Sequence, residues 1–329
     1  MRKKILGIAM GGFSSERKIS IKSGTKVYKT LDKEKWNPYR IDINSKNWFV
    51  IDDTNNKYPI IKEKFSFVKG NRELFFDVIF NAIHGSPGED GKLARILESL
   101  KIPFTSCNSK SAKLTFNKKK CVDFAKENNI STAQSVLLKK TDPINIDKLI
   151  HEIGLPCFVK PNSSGSSFGI NKINVKENLN AGIESAFKED NQIIIESELK
   201  GTEVSIGVYK NQSQIITLPI TEIVSEKDFF DYEAKYKGKA QEITPANISE
   251  SLKKIISEIS KNLYEKLNLK GVIRNDFIIV ENKPHLLEIN TVPGLTEGSI
   301  IPKQVLAANI SLKELFESML LVALKENKK

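Results

Sequence analysis

The chain is poor in the features that mark secreted and membrane proteins. Among its 329 residues, no apolar run is long enough to span a bilayer. The run Ile5–Met10 follows a basic N-terminus but stops at Gly11-Gly12, which is too soon for the core of a signal peptide. The chain has three cysteines, Cys107, Cys121 and Cys157, and none of them forms a CxxC motif. Because their number is odd, they cannot all be paired in disulfides within the chain. We therefore expect a cytoplasmic protein with reduced, buried thiols and no membrane partner.

The sequence also lacks internal repeats, low-complexity tracts and a concentrated basic arm. Its formal net charge is +11, but the lysines are spread along the chain and are not interleaved with aromatic residues. A basic protein can bind nucleic acid or handle phosphates, and the even spread favours a solvated surface over a nucleic-acid partner. With 40% hydrophobic and 28% charged residues, the composition is that of a globular protein with room for two or three domains.

The first hundred residues alternate between apolar runs and helical patterns, which is typical of an α/β layer with a largely parallel sheet. The glycines and serines after Met10, ahead of Glu16, indicate a turn from a strand into a helix. Ligands of open sheets bind at such strand ends, where His84-Gly85 also lies. Predicted strands are Ile5–Met10, Tyr39–Ile43, Trp48–Ile51 and Val78–Ile83, and a predicted helix is Lys92–Leu100.

Two further units are expected, so that the domains span residues 1–106, 107–200 and 201–329. The middle unit has helices between Asn108 and Asn129, strands at Ser135–Lys139, Pro156–Pro161 and Ile193–Leu199, and a helix over Lys176–Lys188. The last unit has strands at Glu203–Lys210 and Gln214–Val224, a charged segment at Ser225–Glu242, a helix over Leu252–Leu267, a hairpin and two terminal helices. Long irregular segments that contain aromatics, such as Ser225–Glu242, often bind a ligand or close over a site.

The hairpin near the C-terminus carries the most informative polar residues. Side chains alternate along a strand, so Arg274 and Asp276 share one face, as do Glu288 and Asn290. A three-residue loop would place Asp276 opposite Glu288. The same loop would place Arg274 opposite Asn290. The two strands have apolar composition and flank a polar turn: Gly271–Val280 and His285–Val292.

Two carboxylates and an amide oxygen on one face suit Mg²⁺ shared with phosphates. An arginine beside them can hold a transferring phosphoryl group. The alternative is a surface hairpin with scattered polar residues. A second candidate site follows a predicted strand, because the Ser/Gly-rich loop Lys160–Gly169 allows backbone N–H groups to cradle phosphates, although a plain turn has the same composition. The loop does not have the Walker pattern.

Taken in order, these pieces resemble the D-alanine–D-alanine ligase family of the ATP-grasp superfamily. The resemblance implies an α/β (α+β) fold of three domains, with an N-terminal parallel-sheet domain and ATP held between the central and C-terminal domains. It also implies that a D-alanine carboxylate attacks the γ-phosphate of ATP, and that a second D-alanine amine attacks the acyl phosphate. The runs that carry it are Gly11–Arg17, His84–Gly91, Lys160–Gly169, Tyr232–Tyr236, Arg274–Asp276 and Glu288–Ser299.

The resemblance implies roles around the two D-alanine molecules. Glu16 would hold the ammonium of the first D-alanine, with His84 near that substrate. Arg274 and the backbone N–H of Gly294 would stabilise the oxyanion. The carboxylate and methyl group of the second D-alanine would be bordered by Ser299 and Ile300. A hydrogen-bonded set would link the N-terminal domain, the central domain and the lid: Glu16, Ser166 and Tyr236.

The resemblance likewise implies a nucleotide and a metal site. Glu196 and Leu199 would contact the adenine edge, Glu203 the ribose hydroxyls, and Lys235 the terminal phosphates. Further nucleotide contacts would come from Lys118, Lys160, Ser166, Ser167 and Asn290. The ligands of Mg²⁺ would be Asp276, Glu288 and Asn290, with two ions expected and Mn²⁺ able to substitute.

Two residues depart from the pattern of the family. Glu198 stands where an aromatic or aliphatic residue is common at the adenine pocket, and Asn275 stands where an apolar residue is usual. Asn275 is expected on the opposite face of its strand from Arg274. The alternatives to a D-alanine–D-alanine ligase are a ligase that joins D-alanine to D-lactate or D-serine, another ATP-grasp carboxylate–amine ligase, and a nucleic-acid-binding protein on the same scaffold. A homodimer is the expected assembly.

Overall fold

The structure is a computed structural model that describes residues 3–165, 169–225 and 240–326. Its N-terminal region contains β1 (Lys4–Gly11), α1 (Arg17–Thr30), β2 (Trp36–Ile43), β3 (Trp48–Ile51), β4 (Lys57–Pro59), β5 (Ser66–Lys69), β6 (Arg72–Phe75), β7 (Val78–Asn81) and α2 (Lys92–Ser99). The main sheet has the order β4-β3-β2-β1-β7, and β5 and β6 form a separate hairpin. The predicted strands and helix of this region are confirmed, whereas the short strands β4, β5 and β6 were not predicted.

One side of this sheet is parallel and the other side is antiparallel. Strand β1 pairs in parallel with β2 and with β7. Strands β3 and β4 extend the sheet in antiparallel order, so the parallel arrangement expected from the sequence holds only for β2, β1 and β7. The residues of β1 from Ile5 onward are buried, which explains why this strand reads as a continuous apolar run.

The middle of the chain folds around a four-stranded sheet. Its elements are α3 (Ser109–Phe116), α4 (Lys118–Glu127), β8 (Ser135–Lys139), α5 (Ile146–Ile153), β9 (Cys157–Pro161), β10 (Asn171–Ile173), a 3₁₀ turn at Lys176–Asn178, α6 (Leu179–Ala186) and β11 (Gln192–Ser197). The strand order is β10-β9-β11-β8. One face packs against α5 and α6 through an apolar cluster that includes Val159, Ile183 and Ile195. The opposite face carries Lys160 and Glu196, which are described with the site.

The last part of the chain contains the largest sheet. Its elements are β12 (Thr202–Lys210), β13 (Ile215–Thr217), β14 (Thr221–Ser225), β15 (Ala240–Ile243), α7 (Glu250–Lys266), β16 (Ile273–Val280), β17 (Lys283–Asn290), α8 (Ile300–Ala307) and α9 (Leu312–Glu326). The order is β15-β14-β12-β16-β17, with β13 also paired to β12. Among the described helices, none is both long and apolar enough to cross a membrane.

The end of the chain returns to the N-terminal sheet. Phe316 on α9 is fully buried and its ring lies 5.4 Å from the ring of Phe80 on β7. Leu6, Phe80, Phe316 and Leu320 belong to one apolar cluster, so the N-terminal sheet and the C-terminal helix share a core. This shared core fixes the sheet ends that carry the candidate site relative to the hairpin β16–β17.

Two local details correct the sequence predictions. The run Gln214–Val224 is two strands, β13 and β14, because Pro219 between them has no N–H to donate to β12. The hairpin loop between β16 and β17 has two residues, Glu281 and Asn282, both with positive φ, instead of three. A bulge after Asp276 adds one residue and restores the register.

The buried side chain of Asn275 lowers the stability of the fold. Its side chain is fully buried, and both of its amide atoms lack a hydrogen-bond partner within the described part of the chain. Its neighbours on the adjacent strands are Ile206 and Ile289, which belong to the apolar core. An amide buried without partners costs about 1–3 kcal/mol.

We therefore expect Asn275→Val to raise the free energy of unfolding by about 1–3 kcal/mol. The network of Arg274 and Asp276 should be undisturbed, since the Asn275 side chain points to the opposite face of the strand. Denaturant titration of the two proteins measures this, and a lower unfolding midpoint in the variant would show that Asn275 supports the fold.

Candidate active site

A cleft of about 420 Å³ lies where the sheets described above meet. Its walls come from the turn before α1, the loop after β7, the helices α3 and α4, the loop after β9, the hairpin β16–β17 and the segment that leads into α8. The residues predicted for the site that line this cleft are Glu16, His84, Lys118, Arg274, Glu288, Asn290, Gly294, Ser299 and Ile300.

The hairpin supplies a connected polar cluster. Its register pairs Arg274 with Asn290 and Asp276 with Glu288, as the sequence predicted. Arg274 holds Asp276 with two hydrogen bonds, from Nε to Oδ1 at 2.7 Å and from Nη2 to Oδ2 at 2.6 Å. The amide of Asn290 donates to Asp276 Oδ2 at 3.0 Å and to Glu288 Oε1 at 3.2 Å. The four side chains therefore form one network on one face.

The donor set of this network fits a divalent cation. Asp276, Glu288 and Asn290 bring carboxylate and amide oxygens together, which are the ligands that Mg²⁺ prefers. The carboxylate of Asp276 is buried and is held from below by the Ser205 hydroxyl at 2.5 Å. The Glu288 side chain is 31% exposed toward the cleft and lies 3.8 Å from Nη2 of Arg274. An arginine against two carboxylates is an arrangement that also suits a phosphate bridged to a metal.

The four-stranded sheet presents a charged face beside the cleft. Lys160 on β9 and Glu196 on β11 form an ion pair of 2.7 Å, and both side chains are nearly buried. Glu198, which replaces the aromatic or aliphatic residue common at this position, forms an ion pair of 2.9 Å with Lys172 on β10. Lys118 at the start of α4 donates to the carbonyl oxygen of Ser164 at 2.6 Å, which ties the helix to the loop after β9. This face is rich in groups that bind phosphates and polar ring edges.

The carboxylate of Glu16 is enclosed by two loops that approach it through their backbones. Gly85, in the loop after β7, has φ of +69°, and a Cβ there would lie 3.2 Å from Glu16 Oε2. Gly165, in the loop after β9, has no such φ, yet a Cβ there would lie 2.5 Å from the same oxygen. The positive φ of Gly85 favours glycine there, and a side chain at Gly165 would displace the Glu16 carboxylate from its observed position. Glu16 is thus placed where the N-terminal and middle sheets meet the cleft.

The segment before α8 lines the cleft with small and hydroxyl-bearing residues: Gly294, Thr296, Gly298 and Ser299. The Ser299 hydroxyl lies 2.8 Å from the Thr296 hydroxyl, and a Cβ on Gly294 would lie 2.6 Å from Ser299 Oγ. The helix is anchored by the buried Gln304, which bonds to the backbone of Gly207 and Ser205 on β12. The N-terminus of a helix attracts anions, so this segment favours a carboxylate.

Two buried titratable groups stand in the wall of the cleft. His84 is bonded through both ring nitrogens, with Nδ1 2.7 Å from the Val292 carbonyl oxygen and Nε2 3.0 Å from the Ser23 hydroxyl. Burial lowers the pKa of His84, which favours its neutral form. Glu89 accepts a hydrogen bond of 2.6 Å from the Gly85 N–H. Burial raises the pKa of Glu89 to about 8, and the nearby Glu16 carboxylate adds to the shift.

The raised pKa of Glu89 predicts a pH-dependent stability. The folded chain keeps the proton that the unfolded chain loses near the ordinary pKa of 4.5, so stability is lost as pH rises from there through about 8. Glu89→Gln should flatten this part of the curve, because its neutral amide keeps the acceptor for Gly85. Unfolding midpoints at pH 5.5, 7.0 and 8.5 test the expectation, with Glu34→Gln as an exposed control. Equal slopes in wild type and Glu89→Gln would contradict it.

The other predicted residues fall into two groups. Lys160, Glu196, Leu199, Glu203 and Asp276 lie behind or beside the cleft and do not line it. Ser166, Ser167, Lys235 and Tyr236 lie outside the described residues, as does most of the segment Ser225–Glu242.

Several residues of the site were not predicted from the sequence. Ser205, which holds Asp276, is a serine inside the apolar strand Glu203–Lys210, and its position in that strand was the available signal. Ser23 gives no such signal, because its contacts join residues far apart in the chain. Lys303 on α8 lines the cleft and pairs with Glu242 at 2.7 Å.

Comparison with known proteins identifies the class of this fold. The structure of the VanG D-Ala:D-Ser ligase from Enterococcus faecalis matches 98% of this chain and 100% of that chain, with a TM-score of 0.87 and 27% identity. The D-alanine–D-alanine ligase from Bacillus anthracis, complexed with ATP, matches 100% of this chain and 99% of that chain, with a TM-score of 0.80 and 28% identity. The chain has the ATP-grasp architecture of these ligases, and the predicted α/β fold class is confirmed.

The sequence comparisons define the family. Residues 5–107 match the family described as "D-ala D-ala ligase N-terminus", and residues 124–321 match "D-ala D-ala ligase C-terminus". The D-alanine–D-alanine ligase of Flavobacterium johnsoniae is 50% identical over 321 residues, covering 98% of this chain and 99% of that protein. The one from Christiangramia forsetii is 46% identical over 326 residues, 99% and 100% of the two chains. The chain belongs to the D-alanine–D-alanine ligase family, a family of ATP-dependent ligases.

Proposed function

We propose that this protein joins two D-alanine molecules into D-alanyl-D-alanine with ATP, through an acyl phosphate, and so supplies the dipeptide for peptidoglycan. The observation that carries the proposal is the register of β16 and β17, which gathers Arg274, Asp276, Glu288 and Asn290 on one face of the cleft. The same cleft is lined by the Glu16 carboxylate, which can bind an ammonium, and by the N-terminus of α8, which can bind a carboxylate. An amino acid has both of these groups.

The first D-alanine binds with its ammonium at Glu16 and its carboxylate at Arg274. One carboxylate oxygen attacks the γ-phosphorus of ATP, ADP leaves, and an acyl phosphate forms. The amine of the second D-alanine, after losing a proton, attacks the carbonyl carbon. Phosphate then leaves the tetrahedral intermediate. Arg274 and the backbone N–H of Gly294 stabilise the negative oxygen of that intermediate, as donors aimed at developing charge do.

The second D-alanine binds at the start of α8. Its carboxylate lies against Ser299 and the N-terminus of the helix, and its methyl group lies against Ile300. This placement directs the amine toward the acyl carbonyl, which is the contribution that positioning makes to such a reaction. We also propose that Glu16, Ser166 and Tyr236 form a hydrogen-bonded set that links the N-terminal domain, the central domain and the lid.

ATP binds along the charged face of the middle sheet. Lys118 and Lys160 contact phosphates or adenine, Glu196 and Leu199 the adenine edge, and Glu203 the ribose hydroxyls. Further contacts come from Ser166, Ser167, Lys235 and Asn290. The ion pair of Lys160 with Glu196 supports this assignment, because it fixes a nearly buried ammonium on the charged face beside the cleft.

Two Mg²⁺ ions would be held by Asp276, Glu288 and Asn290, and Mn²⁺ would substitute for them. When bound, the metal neutralises charge on the phosphates during phosphoryl transfer. We also propose domain limits at residues 1–106, 107–200 and 201–329, a cytoplasmic location and a homodimer.

A second candidate acceptor is D-serine. It is favoured by the fold similarity to the VanG protein, whose name specifies D-Ala:D-Ser. D-serine differs from D-alanine by one hydroxyl, which must meet the residues next to Ile300. D-lactate presents a hydroxyl in place of the amine and is a third possible acceptor.

The experiment that tests the proposal is release of phosphate from Mg-ATP over a panel of acceptors. Purified protein should release phosphate and ADP only when D-alanine is present, and the product should have the mass of the dipeptide. The panel contains D-alanine, L-alanine, D-serine and D-lactate. Equal turnover with L-alanine, or none with any acceptor, would overturn the assignment, and a D-alanyl-D-serine product in preference to the D-alanine dipeptide would replace it with the second candidate.

A further inference from the structure

We propose that Ser23 and His84 act together as positioning residues for the segment Val292–Leu295, and through it for the Gly294 N–H. This inference rests on the proposed function, in which that N–H faces the tetrahedral intermediate. Neither residue needs to touch substrate in this role. Ser23 was not among the residues predicted from the sequence, and His84 was expected to lie near the first D-alanine.

The contacts form a closed path between the N-terminal sheet and this segment. The Leu295 N–H donates to the Ser23 hydroxyl oxygen at 3.2 Å. The same hydroxyl lies 3.0 Å from His84 Nε2, and His84 Nδ1 lies 2.7 Å from the Val292 carbonyl oxygen. Hydrogen bonds therefore fix the backbone on both sides of Gly294: at the Val292 carbonyl, two residues before it, and at the Leu295 N–H, directly after it.

One arrangement of hydrogens satisfies every contact in this path. A neutral His84 with its proton on Nδ1 donates to the Val292 carbonyl and leaves Nε2 as an acceptor. The Ser23 hydroxyl then donates to Nε2 and accepts from the Leu295 N–H. A protonated His84 would leave the Ser23 hydroxyl hydrogen without this acceptor, in a side chain that is fully buried.

The surroundings of His84 favour its neutral form. Burial, the largest cause, lowers the pKa of His84 and Arg274 acts in the same direction, whereas the Glu16 carboxylate and the hydrogen bond to the backbone of Val292 oppose them. Glu89, whose carboxyl also interacts with the backbone of Val292, is neutral over the same range because its own pKa is raised to about 8. The segment is thus held by groups that carry no net charge near neutral pH.

The position of Ser23 explains why the path is rigid. Ser23 lies within α1, is fully buried, and the helix packs on β1. The hydroxyl therefore has little freedom to move. A displacement of about 1 Å in a catalytic donor can cost on the order of a hundredfold in rate, so a contact that fixes the segment has a kinetic effect although it lies behind the cleft.

Four variants of the full chain test the proposal. Ser23→Ala removes the hydroxyl, and His84→Asn retains a donor near Nδ1 while removing Nε2, so both break the same link. Each should lower kcat for the dipeptide by roughly tenfold to a hundredfold, with the KM for ATP unchanged. The double variant should be no slower than the worse single variant, because one link cannot be lost twice. Ser260→Ala is the matched control, since Ser260 is also buried in a helix and its hydroxyl has no partner in the described part of the chain.

A measurement that does not depend on activity separates this inference from the proposed function. Hydrogen exchange of the peptide that contains Leu295 should be faster in Ser23→Ala and His84→Asn than in wild type and Ser260→Ala. If wild type forms no dipeptide, the proposed function fails. The hydrogen-exchange rates still test whether Ser23 and His84 hold the segment Val292–Leu295 in place. The inference would be overturned by wild-type kcat in Ser23→Ala or by losses that multiply in the double variant. It would also be overturned if His84→Asn changed only the KM for D-alanine, or if hydrogen exchange were the same in the variants as in wild type.

Discussion

Replacing Arg274 by alanine should lower kcat for dipeptide formation on the order of a hundredfold or more. The guanidinium pairs with Asp276 and Glu288 in the cleft, where the acyl phosphate and the tetrahedral intermediate would carry their charge in the proposed reaction. Its loss removes a donor from the transition state more than from the bound substrates. Steady-state kinetics with varied ATP and varied D-alanine measures the change in kcat and in each KM.

Arg274→Lys provides the matched control, because it keeps the positive charge but cannot make the two parallel hydrogen bonds to Asp276. It should fall between wild type and Arg274→Ala. Unfolding midpoints of both variants must also be measured, since the buried Asp276 loses a partner and about 3–5 kcal/mol of stability is at risk when a buried pair is broken. A change confined to the KM for ATP would instead make Arg274 an anchor of the nucleotide.

Glu288→Gln should reduce turnover far more than it reduces stability. The substitution keeps the size and the oxygen that accepts from Asn290 but removes a negative charge from the proposed metal site. The side chain is about one-third exposed, so little stability depends on its charge. Loss of even a supporting residue around a metal costs about 10–100-fold in affinity or activity, and a direct ligand should cost at least as much.

The measurement is the rate as a function of Mg²⁺ concentration. The variant should require more Mg²⁺ for half-maximal rate and should regain part of its activity at high Mg²⁺. Glu250→Gln, an exposed carboxylate on α7, is the control and should behave as wild type. Wild-type turnover and an unchanged Mg²⁺ dependence in Glu288→Gln would mean that the carboxylate is structural.

The fold and the hairpin site were readable from the sequence because they depend on local pattern. Alternation of side chains along β16 and β17 places Arg274 and Asp276 on one face, and this holds for any pair of strands. The pairing of Asp276 with Glu288 was predicted from a three-residue loop, whereas the chain uses a two-residue turn and a bulge. A three-residue loop and a two-residue turn followed by a bulge give the same pairing of Asp276 with Glu288. The predicted pairing was therefore correct, although the predicted loop length was wrong.

Contacts between distant segments could not be read in this way. The path from Ser23 through His84 to Val292 spans more than two hundred residues of sequence, and no local pattern marks its first member. The burial of Asn275 among Ile206 and Ile289 likewise depends on the neighbouring strands. The short strands β4, β5 and β6 were missed because each contains a charged residue, whereas β3 and β7, which are equally short, were predicted as uncharged, mainly apolar runs.

The most direct test of the central claim is to follow the oxygen of the substrate carboxylate. D-alanine labelled with ¹⁸O in its carboxylate is converted in unlabelled water with Mg-ATP, and the released phosphate is analysed by mass spectrometry. If a carboxylate oxygen attacks the γ-phosphorus and the amine then displaces phosphate, each phosphate carries one ¹⁸O atom and the peptide carbonyl retains the other. Phosphate without label, released at the rate of dipeptide formation, would contradict an acyl phosphate and with it the role proposed for the Arg274 site.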